Sequence, residues 1–211
     1  YGQGLSVLDP QTDHIQRYRH DPDINSSLSG DELWFILQDR GGIFWFGTMT
    51  GGLSKYNPKT KAFGYYAHNP KSEISLAHPD VFAMAEGKDG HLWIGLNVAG
   101  FQHFELETGT GKHYLHDPDN PNSLNDDWVQ SIYEDRSGIV WVGTWRKGLN
   151  RFDPSTETFS HFPPDPEDPS TLSDKRVWKI YQDRSGTLWI GTTVGLNRMI
   201  AQEGKITFER F

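Results

Sequence analysis

The residues best suited to chemistry in this 211-residue sequence are four tryptophans, Trp34, Trp128, Trp145 and Trp178, together with the charged residues written beside them. An indole offers a wide apolar face and one N–H donor at its edge, which suits stacking on a sugar ring or an aromatic ligand with one directed hydrogen bond. The neighbouring carboxylates and cations, Asp31, Glu32, Asp126, Asp127, Arg146, Lys147, Lys175 and Arg176, can hold hydroxyl groups or an acidic sugar. The candidate ligand-binding set is Trp145, Arg146, Lys147, Trp128, Asp127, Trp34, Trp178 and Arg176. The alternative for Trp34 and Trp178, and for the other two tryptophans, is packing inside the fold, because tryptophan is mostly buried.

Catalytic signals are missing. The sequence contains no Gly-x-Ser-x-Gly elbow, phosphate-binding loop or dinucleotide fingerprint. Asp126 and Asp127 are chain neighbours near a strand start, and nothing shows a second carboxylate at the separation a glycosidase needs. His20, His68 and His116 recur at one spacing and His113 and His161 at another, so they mark the edges of a repeated unit. His113 and His116 are three apart on a strand and point to opposite faces, which is wrong for two ligands of one metal. No metal site and no cofactor are therefore expected. The stretches Asp117 to Ser123 and Asp21 to Ser27 resemble oxygen-rich calcium loops but lack the glycine and distal glutamate of an EF-hand, and read as turns. His78 and His103 decide between binding and catalysis: their convergence with acids at one opening would favour an enzyme.

What must position these residues is a repeat. Gly138-Ile139-Val140-Trp141-Val142-Gly143-Thr144 has near-copies beginning at Gly42, Gly90 and Gly186, and Trp45, Trp93, Trp141 and Trp189 are each 48 residues apart. In the third copy, Val129 to Tyr133 is rich in β-branched and aromatic residues and reads as a strand. Asp135 to Gly138 supplies a turn whose glycine takes positive φ, and Ile139 to Thr144 returns as a second strand. Gly148 to Phe152 and Thr158 to Phe162 follow as a third and fourth. Four short antiparallel strands in a repeat of this length predict a β-propeller blade. The unbroken apolar run Ile139 to Val142 requires burial on both sheet faces, which stacked blades provide.

The Gly-Leu pairs at Gly4, Gly52, Gly148 and Gly195, with Gly100-Phe101, mark five third strands against four tryptophan-bearing second strands. The expectation is an all-β partial propeller of eighteen strands over residues 1–211: a half blade at 1–20 and full blades at about 29–68, 77–116, 125–164 and 173–211. Its end faces would expose more apolar surface than a monomer tolerates, so the remaining blades or a second copy of the chain should cover them. Two copies complementing their halves would make nine blades.

Residues repeated in every blade serve the blade, and those that break the repeat are free for a ligand. The turns between strands one and two and between three and four share one face and are stereotyped, so that face reads as framework. The two–three loops (Met49-Thr50, Asn97 to Ala99, Trp145 to Lys147, Thr193-Val194) and the connections between blades vary, and all four candidate tryptophans fall there or at the start of an innermost strand.

Composition narrows the partners. A formal charge of −8 without a basic run argues against nucleic acid. The absence of cysteine excludes disulfides and thiolate metal sites while leaving the compartment open. No apolar run approaches the roughly 20 residues of a membrane helix, so contact with a membrane is expected only through regions outside this sequence, which enters its pattern at Tyr1 without a signal peptide.

The run Asp-Arg-Ser-Gly-x-x-Trp-x-Gly-Thr followed by Gly-Leu-x-Arg-Phe-Asp resembles the two-component regulator propeller repeat, over essentially the whole chain. The resemblance implies a seven-bladed propeller in the periplasmic or extracytoplasmic region of a hybrid histidine kinase, sensing an oligosaccharide or other small-molecule product of polysaccharide breakdown. It implies that the kinase is outside this sequence. The second full blade departs most from the pattern, with Leu96 for Thr, Ala99-Gly100-Phe101 for Gly-Gly-Leu and Gly87 for Asp. The alternative functions are a propeller lyase or hydrolase resembling the streptogramin lyases, and a protein-interaction propeller.

Overall fold

The computed structural model describes residues 2–72 and 75–211; Tyr1 lies outside them. The described residues form eighteen strands in five antiparallel sheets and no helix. β1 (Leu5–Asp9) and β2 (His14–Tyr18) make a two-stranded sheet. The first full blade comprises β3 (Leu33–Gln38), β4 (Phe44–Thr48), β5 (Leu53–Asn57) and β6 (Ala62–Tyr66). The second comprises β7 (Val81–Glu86), β8 (Leu92–Leu96), β9 (Phe101–Glu105) and β10 (Thr110–Tyr114). In the third are β11 (Val129–Glu134), β12 (Val140–Thr144), β13 (Leu149–Asp153) and β14 (Thr158–Phe162), and in the fourth β15 (Val177–Gln182), β16 (Leu188–Thr192), β17 (Leu196–Gln202) and β18 (Lys205–Arg210). Within each full sheet the strands lie in chain order, the up-and-down arrangement of a propeller blade.

No blade has a core of its own. One cluster joins Ala83, Trp93 and Phe101 of the second blade to Val129, Ile132 and Val140 of the third, and the others likewise straddle adjacent blades. The second strands explain why: every residue of β8 and of β12 is buried, so each sheet is covered on both faces. The two ends differ, with Val7, Leu8 and Ile15 exposed on the half blade and Tyr181, Leu196 and Phe211 exposed on the last.

The glycine of each second strand sets the distance between blades. A Cβ on Gly95 would lie 2.6 Å from Val129 Cγ1, and one on Gly47 would lie 2.6 Å from the Val81 carbonyl. A Cβ on Gly143 would strike Val177 in the same way, whereas on Gly191 it would meet nothing closer than the Lys179 carbonyl at 3.7 Å. Backbone bonds repeat the link: Gly4, Gly52, Gly100 and Gly148 each donate their N–H to a carbonyl at the entrance of the next blade, at 2.8–3.0 Å.

The stereotyped turn is a tie for the framework tryptophan. Asp135 accepts the backbone N–H of Ser137 on one carboxylate oxygen and the Trp141 indole N–H on the other, at 2.8 Å in each case. Asp39 holds Trp45 at 2.8 Å and Asp183 holds Trp189 at 2.9 Å. The histidines expected at blade edges pin the connections, His20, His68 and His116 each placing Nδ1 on the carbonyl eight residues on. The stretch read as a turn is one: Asp117 accepts the N–H of Asn120 on its carbonyl and of Asp119 on its side chain.

Gly143→Ala costs about 1–3 kcal/mol through overpacking, while Gly191→Ala is neutral or slightly stabilising because a strand glycine gains from a Cβ that has room; urea unfolding of the two variants checks this. The Ser185 hydroxyl and the Trp189 indole hold the Asp183 carboxyl at about 2, below its ordinary 3.8. Its stabilisation is then complete above the ordinary value and is lost as pH falls toward 2, so the thermal midpoint drops across that window and Asp183→Asn flattens part of the slope.

Candidate functional site

At the end of the sheets opposite the stereotyped turns, the two–three loops bend back onto the entrances of their own blades. Met49, Asn97, Trp145 and Thr193 each donate a backbone N–H to the carbonyl of Glu32, Asp80, Trp128 and Arg176 respectively, at 2.9–3.2 Å. This hydrogen bond brings Trp145 beside Trp128, with ring centroids 5.7 Å apart. Trp145 also meets Trp178 of the next blade edge-on at 5.0 Å. The result is a row of three indoles running from the third blade to the fourth.

Trp178 reaches the row through a β-bulge. Each first strand shifts register against its second strand at one place, between Leu33 and Phe35, Val81 and Ala83, Val129 and Ser131, and Val177 and Lys179. The extra residues are Trp34, Phe82, Gln130 and Trp178, all at one repeat position, and a bulge re-aims the side chain it carries. Trp34 and Phe82 approach to 5.1 Å. Trp34, Phe82, Gln130 and Trp178 together line a cavity of about 250 Å³ between the innermost strands of the four blades, with Lys179 completing it. Trp34 and Trp178 are 53% and 47% exposed, so they face this opening instead of packing between blades.

The cations beside the indoles are held in place. Arg146 donates to buried Asp126 through Nη2 at 2.6 Å and Nε at 3.0 Å, and its backbone N–H meets the second carboxylate oxygen at 3.0 Å. Its guanidinium lies 5.9 Å from the centroid of the Trp128 ring. Arg176 repeats the device, bonded to Asp174 at 3.0 Å and 5.9 Å from the Trp145 ring. Lys147, Lys175 and Lys179 are exposed. Asp127 serves the blade entrance instead, where its carboxylate accepts the His116 backbone N–H at 2.7 Å, as Asp31 does for His20. The Trp128 indole N–H is buried and meets no acceptor among the described residues, which leaves a donor whose desolvation costs about 1–3 kcal/mol unless something accepts it.

The sequence residues Trp34, Trp128, Trp145, Trp178, Arg146 and Arg176 thus gather at one end of the sheets. Phe82, Gln130 and Lys179 join them without having been singled out, although the 48-residue spacing of Phe82 and Gln130 from Trp34 and Trp178 was a readable signal.

Residues 75–97, 123–146 and 171–193 match the family described as Two component regulator propeller. Three of the four full blades thus hold a segment that matches the two component regulator propeller repeat. Each matched segment runs from a blade entrance through its first two strands, and so contains the framework Trp93, Trp141 or Trp189. None of the curated proteins matches the sequence. Among solved structures, the chain is similar to the extracellular domain of the hybrid two component system BT3049 from B. thetaiotaomicron, at 24% identity and TM-score 0.82 over 98% of this chain. It is also similar to that of BT4673 from the same organism, at 22% identity and TM-score 0.73 over 94%. The chain spans 27% of the length of each. Virginiamycin B lyase from Staphylococcus aureus shares the fold at 18% identity and TM-score 0.66, with 98% of this chain and 62% of that one covered.

The lyase likeness makes the placement of the two odd histidines informative. His78 Nδ1 accepts the Asp80 N–H at 3.1 Å at the loop end of the sheets. His103 lies on β9 beside the start of β8, near the turn end, where its Nε2 is 3.5 Å from Glu105 Oε1 and its ring 4.1 Å from that of His91. The two histidines therefore do not converge at one opening. The turn end, read from the sequence as framework alone, carries in the second blade a group of titratable side chains.

Proposed function

We propose that this chain is a ligand-sensing part of an extracytoplasmic propeller of a bacterial two-component regulator, and that the loop end binds a carbohydrate-like molecule for a kinase to report. The observation that carries the reading is one run of aromatic rings: Trp34, Phe82 and Trp178 line the cavity, and Trp145 and then Trp128 continue the run outward from Trp178. Flat aromatic surface of this extent, partly exposed and edged with donors, matches the C–H faces and hydroxyl rims of sugar rings. The cavity of about 250 Å³ takes one ring at its centre, with the Trp128–Trp145 row extending the platform outward.

Charge supports an acidic sugar. Arg146 and Arg176 are matched by Asp126 and Asp174, so they serve as rigid planar donors stacked on indoles. Lys147, Lys175 and Lys179 stand exposed at the same end, beside Asp31, Glu32, Asp80 and Asp127 of the blade entrances, and offer ammonium donors to a ligand carboxylate. The separation of His78 from His103 supports binding over the lyase reading. An extracytoplasmic position rests on the likeness to the two extracellular domains.

Trp145→Ala and Arg146→Ala weaken binding of acidic oligosaccharides at least about tenfold, equivalent to 1.4 kcal/mol; Trp145→Ala shifts stability by about 1 kcal/mol or less, while Arg146→Ala, which leaves buried Asp126 without its guanidinium partner, costs about 1–3 kcal/mol. Trp141→Ala costs about 3–5 kcal/mol of stability as a core truncation. A glycan array followed by calorimetric titration checks the first pair; unchanged affinity in both would refute the site.

A further inference from the structure

We infer that the second blade holds a divalent transition-metal site, suited to Zn2+, built from His91, His103 and Glu105 at the turn end of the hairpin formed by β8 and β9. The register pairs Trp93 with His103 and Leu92 with Phe104, so His91 falls opposite Glu105 and diagonal to His103, and all three side chains share one sheet face. Their nearest ligand atoms lie within 4.8 Å of one another. Tetrahedral zinc with bonds of about 2.0–2.1 Å spaces its ligands about 3.4 Å apart, and His103 Nε2 to Glu105 Oε1 is already 3.5 Å. Small rotations of the His91 ring, 4.1 Å from the His103 ring, bring in the third donor.

Three departures of this blade from its sisters meet at this group. Position 87 is aspartate in the other three blades, where it holds the framework indole; here it is glycine, and a Cβ there would collide with the His91 ring. The Trp93 indole N–H is taken over instead by Glu134 of the third blade at 2.8 Å. The cation that faces the tryptophan elsewhere, Lys55, Arg151 or Arg198, is His103 here. His91 Nε2 is left buried without a partner among the described residues, an orphan acceptor or donor that native structures seldom retain. Two imidazoles and one carboxylate, with no thiolate in the chain, suit a borderline metal. The half-exposed Glu105 leaves a fourth position open to water.

The test uses the 211-residue chain freed of metal by chelation, titrated with zinc chloride and, in parallel, with Co2+ as a spectroscopic reporter. The expected result is one zinc per chain at micromolar or tighter affinity, a raised thermal midpoint, and Co2+ d–d bands of a four- or five-coordinate nitrogen–oxygen site. The double variant His103→Arg with Glu105→Asn, which installs residues that sister blades use at these positions, loses at least about a hundredfold in zinc affinity. Should it not fold, Glu105→Asn alone weakens zinc and alters the Co2+ spectrum. Zinc affinity unchanged by these variants, or weaker than millimolar in the parent chain, would overturn the site.

Discussion

The contact on which everything else depends is the glycine of one blade's second strand against the valine that opens the next blade. Gly47 meets Val81, Gly95 meets Val129 and Gly143 meets Val177, each too closely for any side chain on the glycine. That spacing lets the tryptophan and phenylalanine side chains of two sheets interleave, which is why every core cluster spans two blades. A blade alone would have two bare apolar faces, so stability accrues between neighbours, as in other repeat arrays. Gly191 and the apolar residues around it present the same half of this contact at the last blade.

A framework fixed so tightly frees its loops. The Asp–Trp tie and the turn glycine are spent at one end of the sheets, while at the other end one backbone hydrogen bond per blade folds the two–three loop inward. Because the inner strands all bulge at the same register, four blades deliver one side chain each to the same opening. The site is thus assembled by repetition, and its chemistry is set by the residue each blade places there: Trp34, Phe82, Gln130 and Trp178.

The all-β propeller fold, with four full blades and a partial one in eighteen strands, was legible in the sequence, because apolar runs, turn residues and a constant period all describe the same unit. Pairwise geometry was not. That Asp126 clamps Arg146, while its neighbour Asp127 serves the blade entrance, depends on how the connection crosses the next sheet, which alternation along one strand does not encode. The same limit hid the meeting of His91 with His103: the sequence weighed histidines close along the chain, His113 and His116, whereas a hairpin brings together residues twelve apart. The departure of Gly87 from aspartate was visible, but its meaning came only from the imidazole that fills the space.

Of the eight tryptophans, four build blades and four stand at the end of the sheets proposed to bind a ligand. The most direct test of that division follows their indole N–H resonances in 15N-labelled protein during titration with an acidic oligosaccharide. Shifts are expected at Trp34, Trp128, Trp145 and Trp178, with Trp45, Trp93, Trp141 and Trp189 unmoved. Shifts confined to the framework four, or spread evenly over all eight, would contradict it.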